Sequence, residues 1–179
     1  MGALLVAAML SGCNATATEA AGGRPAGVEK EAAGDWPAGV KEAEVYSAVL
    51  RRFLGNSSEN TFPEMTFPTV YVLDRDDAGG PIAANTREQL TAALAGVTSV
   101  QFIADRESVL ETVDGCPRVR NGGLLIELGR VQGDDNEVTV YVNGFVACLG
   151  ASMLTYVVRH NDPGPGWTVT GTTGPRAVA

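Results

Sequence analysis

The sequence predicts an α+β domain, with helices packed on one side of a mainly antiparallel, curved sheet whose last four strands form a meander. Three observations carry that prediction. Segments in the first half of the domain space their apolar residues at three- and four-residue intervals, the period of a helix. The last third holds long β-rich runs that alternate apolar and polar residues. Between those runs stand clusters of Gly, Asp, Asn and Pro with strong turn chemistry. The chain has 179 residues, 45% hydrophobic and 19% charged, a balance that can build a core rather than stay unfolded.

The elements follow in order. Val45, Ala48, Val49, Arg52 and Phe53 recur at helical spacing, Leu54 closes the stripe, and Gly55-Asn56 stops it. After a loop through Pro63 and Pro68, Thr69-Val70-Tyr71-Val72-Leu73 is a strand. Thr86 is expected to cap a second helix, with Gln89 completing a capping box and Leu90, Ala93 and Leu94 as its apolar stripe; Gly96 ends it. Ser99 to Ala104 is a further strand, and Asp105 caps a short helix that carries Val109 and Leu110. As an alternative, Val70 to Ala104 forms a parallel strand–helix–strand unit. The last third divides into strands near Gly123–Gln132, Glu137–Cys148, Ser152–His160 and Gly166–Thr173.

The turns suggest registers. If Gln132 faces Glu137, then Leu124 lies opposite Phe145, Ile126 opposite Asn143 and Leu128 opposite Tyr141, all on one face. If His160 faces Trp167, then Leu154, Tyr156, Val158, Trp167 and Val169 share one face, and Thr155, Arg159, Thr168, Thr170 and Thr172 share the other. A slip of one residue would invert either list.

The order of elements, helix first and long antiparallel strands last, is similar to the nuclear-transport-factor-like and cystatin-like folds. A second resemblance lies at the start of the chain. An apolar run from Ala3 to Leu10 ends in Leu10-Ser11-Gly12-Cys13, which resembles the lipobox of bacterial lipoproteins. That resemblance implies a signal peptide over 1–12 and a diacylglyceryl group on Cys13. It also implies a location at the extracytoplasmic face of the cell membrane, with the membrane itself as a partner through the lipid. Only the amino group of Met1 is positive ahead of the run, so the natural start is expected upstream. The competing reading makes Cys13 a chance cysteine in an apolar leader. Residues 13–40 are rich in Ala, Gly, Glu and Thr and read as a flexible tether, with a partly helical stretch at Val28–Ala33 as the alternative. Residues 41–179 form the single domain.

The chemistry on offer is sparse. Thirteen Lys and Arg against 21 Asp and Glu give a net charge of −8, which argues against nucleic acid as a partner. One His and three Cys leave little for a metal centre, and no cofactor is expected. With Cys13 lipidated, Cys116 and Cys148 remain as an even pair in an oxidising compartment. The hairpin register brings Cys148 opposite Asn121, close to Cys116, so a disulfide is expected; two free thiols are the alternative. Ser152 and His160 are unsuited to a catalytic pair, because eight residues of strand hold them roughly 26 Å apart. His160 is expected to stack beside Trp167. The spacing around Asp74, Asp76 and Asp77 lacks the fifth and twelfth ligands of a calcium loop, and the segment reads as a solvated acidic loop. Asn143 stands among Tyr141, Phe145 and the leucines of the preceding strand, where a buried amide needs partners. Asn143, Tyr141 and Phe145 are therefore candidate ligand-binding residues, against a purely structural role for Asn143. The favoured function is a non-enzymatic binding domain for an unidentified protein or small molecule. The alternative is a hydrolase-type enzyme with its acid–base pair among Asp74, Asp76, Asp105 and Glu127.

Overall fold

A computed structural model of the chain describes residues 40–55, 57–60, 62 and 65–179. The expected signal peptide, Cys13 and nearly all of the expected tether lie outside the described residues.

Helix α1, Val40–Gly55, begins one residue ahead of the expected domain start. Its buried stripe is Val45, Tyr46, Val49, Leu50 and Phe53, all fully enclosed. Tyr46 and Leu50 were not in the expected stripe, and Arg52, which was, is exposed. Each enclosed side chain contributes about 1.5–3 kcal/mol relative to exposure. The single turn α2, Ser57–Asn60, folds back beneath α1. There the Asn60 amide donates to the Phe53 carbonyl, and its oxygen accepts from Phe62 N at 2.8 Å. Phe53, Phe62 and Phe67 then pack edge to face.

Strand β1, Thr69–Leu73, helix α3, Ala84–Leu94, and strand β2, Ser99–Ile103, form the parallel unit that stood as the alternative. Helix α3 starts earlier than expected. Ala83 is its N-cap, without a side-chain cap, and Thr86 lies inside the first turn. The Thr86 hydroxyl is fully buried and lies 3.2 Å from Glu42 Oε2 of α1, so it joins the two helices instead of capping its own. Asp105 caps the 3-10 turn Arg106–Val109 as expected, accepting from Glu107 N.

A hairpin follows that the sequence reading missed. Strand β3, Leu110–Val113, and strand β4, Cys116–Val119, are antiparallel and joined by Asp114-Gly115. Both turn residues have positive φ, 54° and 79°, the backbone of a type I′ turn, for which Asp-Gly is a favoured pair. The strand β5, Leu124–Leu128, is shorter than expected. It stops at Gly129, and the two-residue strand β6, Gln132–Gly133, resumes the pairing. Strands β7, Glu137–Ala147, β8, Gly150–His160, and β9, Trp167–Val178, complete the sheet.

The sheet runs β2-β1-β5-β7-β8-β9, with β6 and the β3–β4 hairpin attached along β7. It is mixed and not mainly antiparallel: β1 runs parallel to both β2 and β5. The apolar run of β1 explains why. Val70, Tyr71, Val72 and Leu73 are all buried, so β1 is covered on both faces as parallel strands are. The strands from β5 onward are antiparallel neighbours, as the expected meander requires.

The expected β5–β7 register is off by one. Leu125 faces Phe145, Ile126 faces Gly144, Glu127 faces Asn143 and Leu128 faces Val142. The cause is local. Gln132 pairs with Thr139, not Glu137, and the break at Gly129 means that a register counted from the turn does not carry into β5. Consequently Leu124, Ile126 and Leu128 share the main core with Val138, Val140 and Val142. Tyr141, Asn143 and Phe145 lie on the opposite face. On the core side stands Gly144: a Cβ there would lie 2.6 Å from Phe53 Cζ, so any other residue would displace the Phe53 ring of α1.

The last hairpin pairs His160 with Trp167 and Val158 with Val169, as expected. Leu154, Tyr156, Val158 and Trp167 are buried and Val169 packs against them. Irregularities farther along put Thr172 opposite Tyr156, so Thr172 leaves the expected polar set.

Beyond the main core, a smaller one forms on the other face of the sheet. Tyr71, Leu73 and Leu125 meet Val109 and Val119 beneath the β3–β4 hairpin. The Cys116 and Cys148 sulfurs are 2.03 Å apart, with Cα atoms at 5.5 Å. The route differs from the expected one: Arg118 of β4 pairs directly with Ala147 of β7, so the hairpin itself delivers Cys116 to Cys148. A link between residues 32 apart in sequence restricts the unfolded chain and adds about 3–4 kcal/mol. Denaturant unfolding of the Cys116→Ser/Cys148→Ser double variant should show a loss of that size. Equal stability of variant and parent would show that the hairpin needs no clamp.

Candidate binding face

The three residues proposed for a ligand site alternate along β7 and do share one face, but it is the face away from α1. Their cross-strand neighbours there are Leu125 and Glu127 of β5 and Ala151, Met153 and Thr155 of β8. Asn143 is not a buried amide in the main core. Its Nδ2 donates to Glu127 Oε2 at 3.3 Å, and both side chains are half-buried. Tyr141 is half-buried as well. Burial, then the negative charges of Glu127 and Asp77, hold its hydroxyl above the ordinary tyrosine pKa. Phe145 differs from the other two. It packs against the smaller core, and the Arg106 guanidinium lies 5.8 Å from its ring centroid. Glu127, Tyr141, Asn143, Met153 and Thr155 therefore form a mixed polar and apolar strip, bounded at the Phe145 end by Arg106.

The candidate acid–base carboxylates are engaged locally. Asp76 Oδ1 accepts from Ala78 N at 2.9 Å and Gly80 N at 2.8 Å, and Oδ2 faces Arg130 Nε at 3.4 Å. Its side chain is only 14% exposed, so this loop is internally braced rather than simply solvated. Asp77 Oδ1 accepts from Arg130 N at 3.2 Å, which ties the loop after β1 to the segment after β5. Asp105 caps its 3-10 turn, and Glu127 holds Asn143. Asp74 contributes backbone bonds, its N–H to Ile103 O and its C=O to Ile82 N. Among the described residues no three His, Cys, Asp or Glu groups converge where they would hold a metal ion.

His160 and Ser152 sit at opposite ends of β8, as the strand arithmetic required. His160 meets Trp167 edge to face at 5.2 Å, and Ser152 is fully buried with its hydroxyl 3.5 Å from the Glu59 carbonyl.

Sequence reading missed one charged cluster. Arg52 of α1 donates from Nε to Glu59 Oε1 and Oε2 at 3.1 and 3.0 Å, and from an Nη to Oε1 at 2.5 Å. The buried Tyr156 of β8 and Arg176 of β9 lie within electrostatic reach of the same carboxylate, and the Tyr156 hydroxyl makes no hydrogen bond of its own among the described residues. Arg52 first, then Tyr156, hold the Glu59 carboxyl below the usual range. Burial, then the Glu59 charge, push the Tyr156 hydroxyl well above the ordinary tyrosine value. The members come from α1, α2, β8 and β9, so no local spacing announces them; Arg52, set among helical apolar positions, was the nearest signal.

This cluster makes a pH prediction. A carboxyl with a lowered folded pKa contributes stability that is present above its unfolded value, near 4.5, and is lost as pH falls through the folded value. With Arg52 half exposed to solvent, the contribution is about 1 kcal/mol. Glu59→Gln should cost about that much near neutral pH, and the gap to the parent should close in acid. A gap that stays constant down to about pH 2 would show that the Glu59 charge is not its source.

The chain matches no family model, no curated protein and no solved structure.

Proposed function

We propose that this protein is a lipid-anchored, extracytoplasmic binding domain of a bacterial cell envelope, non-enzymatic, which presents the strip around Tyr141 and Asn143 to a protein or small-molecule partner. The observation that carries the reading is the composition of that strip. Tyr141, Asn143 and Glu127 put one aromatic ring, one amide and one carboxylate side by side on half-buried strands, with Met153 and Thr155 beside them. Aromatic rings supply contact area at low entropic cost, and a few fixed polar groups supply orientation. Rigid strands hold these groups, so little ordering is needed on binding. Anchorage rests on the lipobox resemblance at Leu10-Ser11-Gly12-Cys13. Stable attachment takes two or more acyl chains, which a diacylglyceryl group on Cys13 supplies.

Two measurements test this. Produced in a bacterium behind an adequate signal peptide, the parent should partition into the detergent phase and Cys13→Ser into the aqueous phase; equal partitioning would overturn the anchor. A partner captured from the cell envelope by the lipidated chain should bind Tyr141→Ala at least tenfold more weakly, and Glu59→Gln as tightly as the parent. Full binding by Tyr141→Ala would overturn the strip as the contact surface.

A further inference from the structure

The outer strands β2 and β9 are treated differently. Edge strands expose unpaired N–H and C=O groups, and proteins blunt them with prolines, charges, bulges or covers. Strand β9, at one edge, carries Pro175, Arg176, a positive-φ Gly174 and two register irregularities. Strand β2, at the other, is Ser99-Val100-Gln101-Phe102-Ile103, with no proline, glycine or charge and an unbroken register against β1.

Among the described residues, the hydrogen bonds show which groups β2 leaves open. Ser99 N donates to Pro68 O at 3.2 Å and Asp74 N donates to Ile103 O at 2.9 Å, so the odd residues turn their backbone groups to β1. Backbone groups alternate along a strand, which directs the N–H and C=O of Val100 and Phe102 to the open edge. Above that edge runs the flank of α3 that faces away from α1. Ala84, Arg87, Thr91, Ala92, Ala95 and Phe102 line a groove there of about 550 Å³. Small side chains on the helix leave room for large ones from a partner. Arg87 is half-buried, its guanidinium 6.0 Å from the Phe102 ring centroid, and sets a positive charge over the apolar floor.

We propose that the β2–α3 groove is a strand-addition site for an extended peptide segment of a partner protein. The segment hydrogen-bonds through its backbone to Val100 and Phe102, places an apolar side chain over Phe102 and the α3 alanines, and sets a carboxylate against Arg87. Backbone pairing gives affinity and the groove gives side-chain selectivity, as in other strand-addition complexes. The exposed Glu88 beside Arg87 works against a segment with several acids, so one carboxylate in an apolar, alternating sequence fits best. A second copy of this chain is the less suitable occupant, because each carries a net charge of −8. This site is separate from the strip around Tyr141, and either stands without the other.

The test is selection of a random heptapeptide display library on the full chain. Enriched peptides should alternate apolar residues around one Asp or Glu and should perturb the backbone amides of Val100 and Phe102. Thr91→Trp, an exposed change that fills the groove, should weaken them at least tenfold, with Ala92→Trp as a second blocking variant. Arg87→Glu should switch the selected acid to Lys or Arg. The proposal is overturned if no alternating peptide is enriched, if Thr91→Trp and Ala92→Trp bind as the parent does, or if perturbations centre on Tyr141 instead. Concentration-dependent dimerisation abolished by Thr91→Trp would also overturn it, by assigning the edge to a second copy.

Discussion

Strand β7 is the constraint on which the other elements depend. Along one side it pairs with β8 from Glu137↔Arg159 to Ala147↔Gly150. Along the other it holds β6, β5 and β4 in succession. Its core-facing residues, Val138, Val140, Val142 and Gly144, set the floor for α1, and the Phe53 ring sits where a side chain on residue 144 would collide with it. Its other face carries Tyr141, Asn143 and Phe145. The register of one strand thus determines which residues build the main core and which lie on the opposite face.

The two ends of β7 are fixed by different means. At the Glu137 end, Asp134 Oδ1 accepts from Asn136 N and Glu137 N, which holds its carboxyl below the ordinary range. Lys41 of α1 reaches the same turn, bonding Asp134 O and Asp135 Oδ1. At the Ala147 end, β4 and the Cys116–Cys148 pair do the equivalent work. Between them, Gly129 N donates to Tyr141 O and Tyr46 of α1 donates to Gly129 O, so the break in β5 is also bonded from both sides. Backbone groups freed by an irregularity must find partners elsewhere, and here a helix supplies one.

The division of charge follows the same architecture. Asp76, Asp77 and Arg130 lock two loops together where the parallel strands β1 and β5 end. Arg52 and Glu59 lock α1 to α2 beside the buried Tyr156 of β8. Such carboxylates have structural work that a catalytic acid or base would have to share. By contrast Glu127 stands half-buried on the face away from α1, where it accepts from Asn143 and its charge acts on Tyr141.

The local features were legible in the order of residues along the chain. Periodicity found α1, the strand Thr69–Leu73 and the buried set of the last hairpin, because side chains three and four apart, or two apart, report one face wherever the chain lies. Turn chemistry set His160 against Trp167, and cysteine arithmetic paired Cys116 with Cys148. The rest depended on contacts between segments far apart in the chain. The parallel pairing of β1, the one-residue shift that turned Asn143 away from the core, the recruitment of Thr86 by Glu42 and the Arg52–Glu59–Tyr156 cluster all join residues distant in sequence. A break at Gly129 is invisible to alternation but resets the register beyond it, and a hydroxyl that fits a cap equally well fits a carboxylate on another helix. Local spacing cannot rank such partners, since the difference between them is set by which surfaces meet when the core closes.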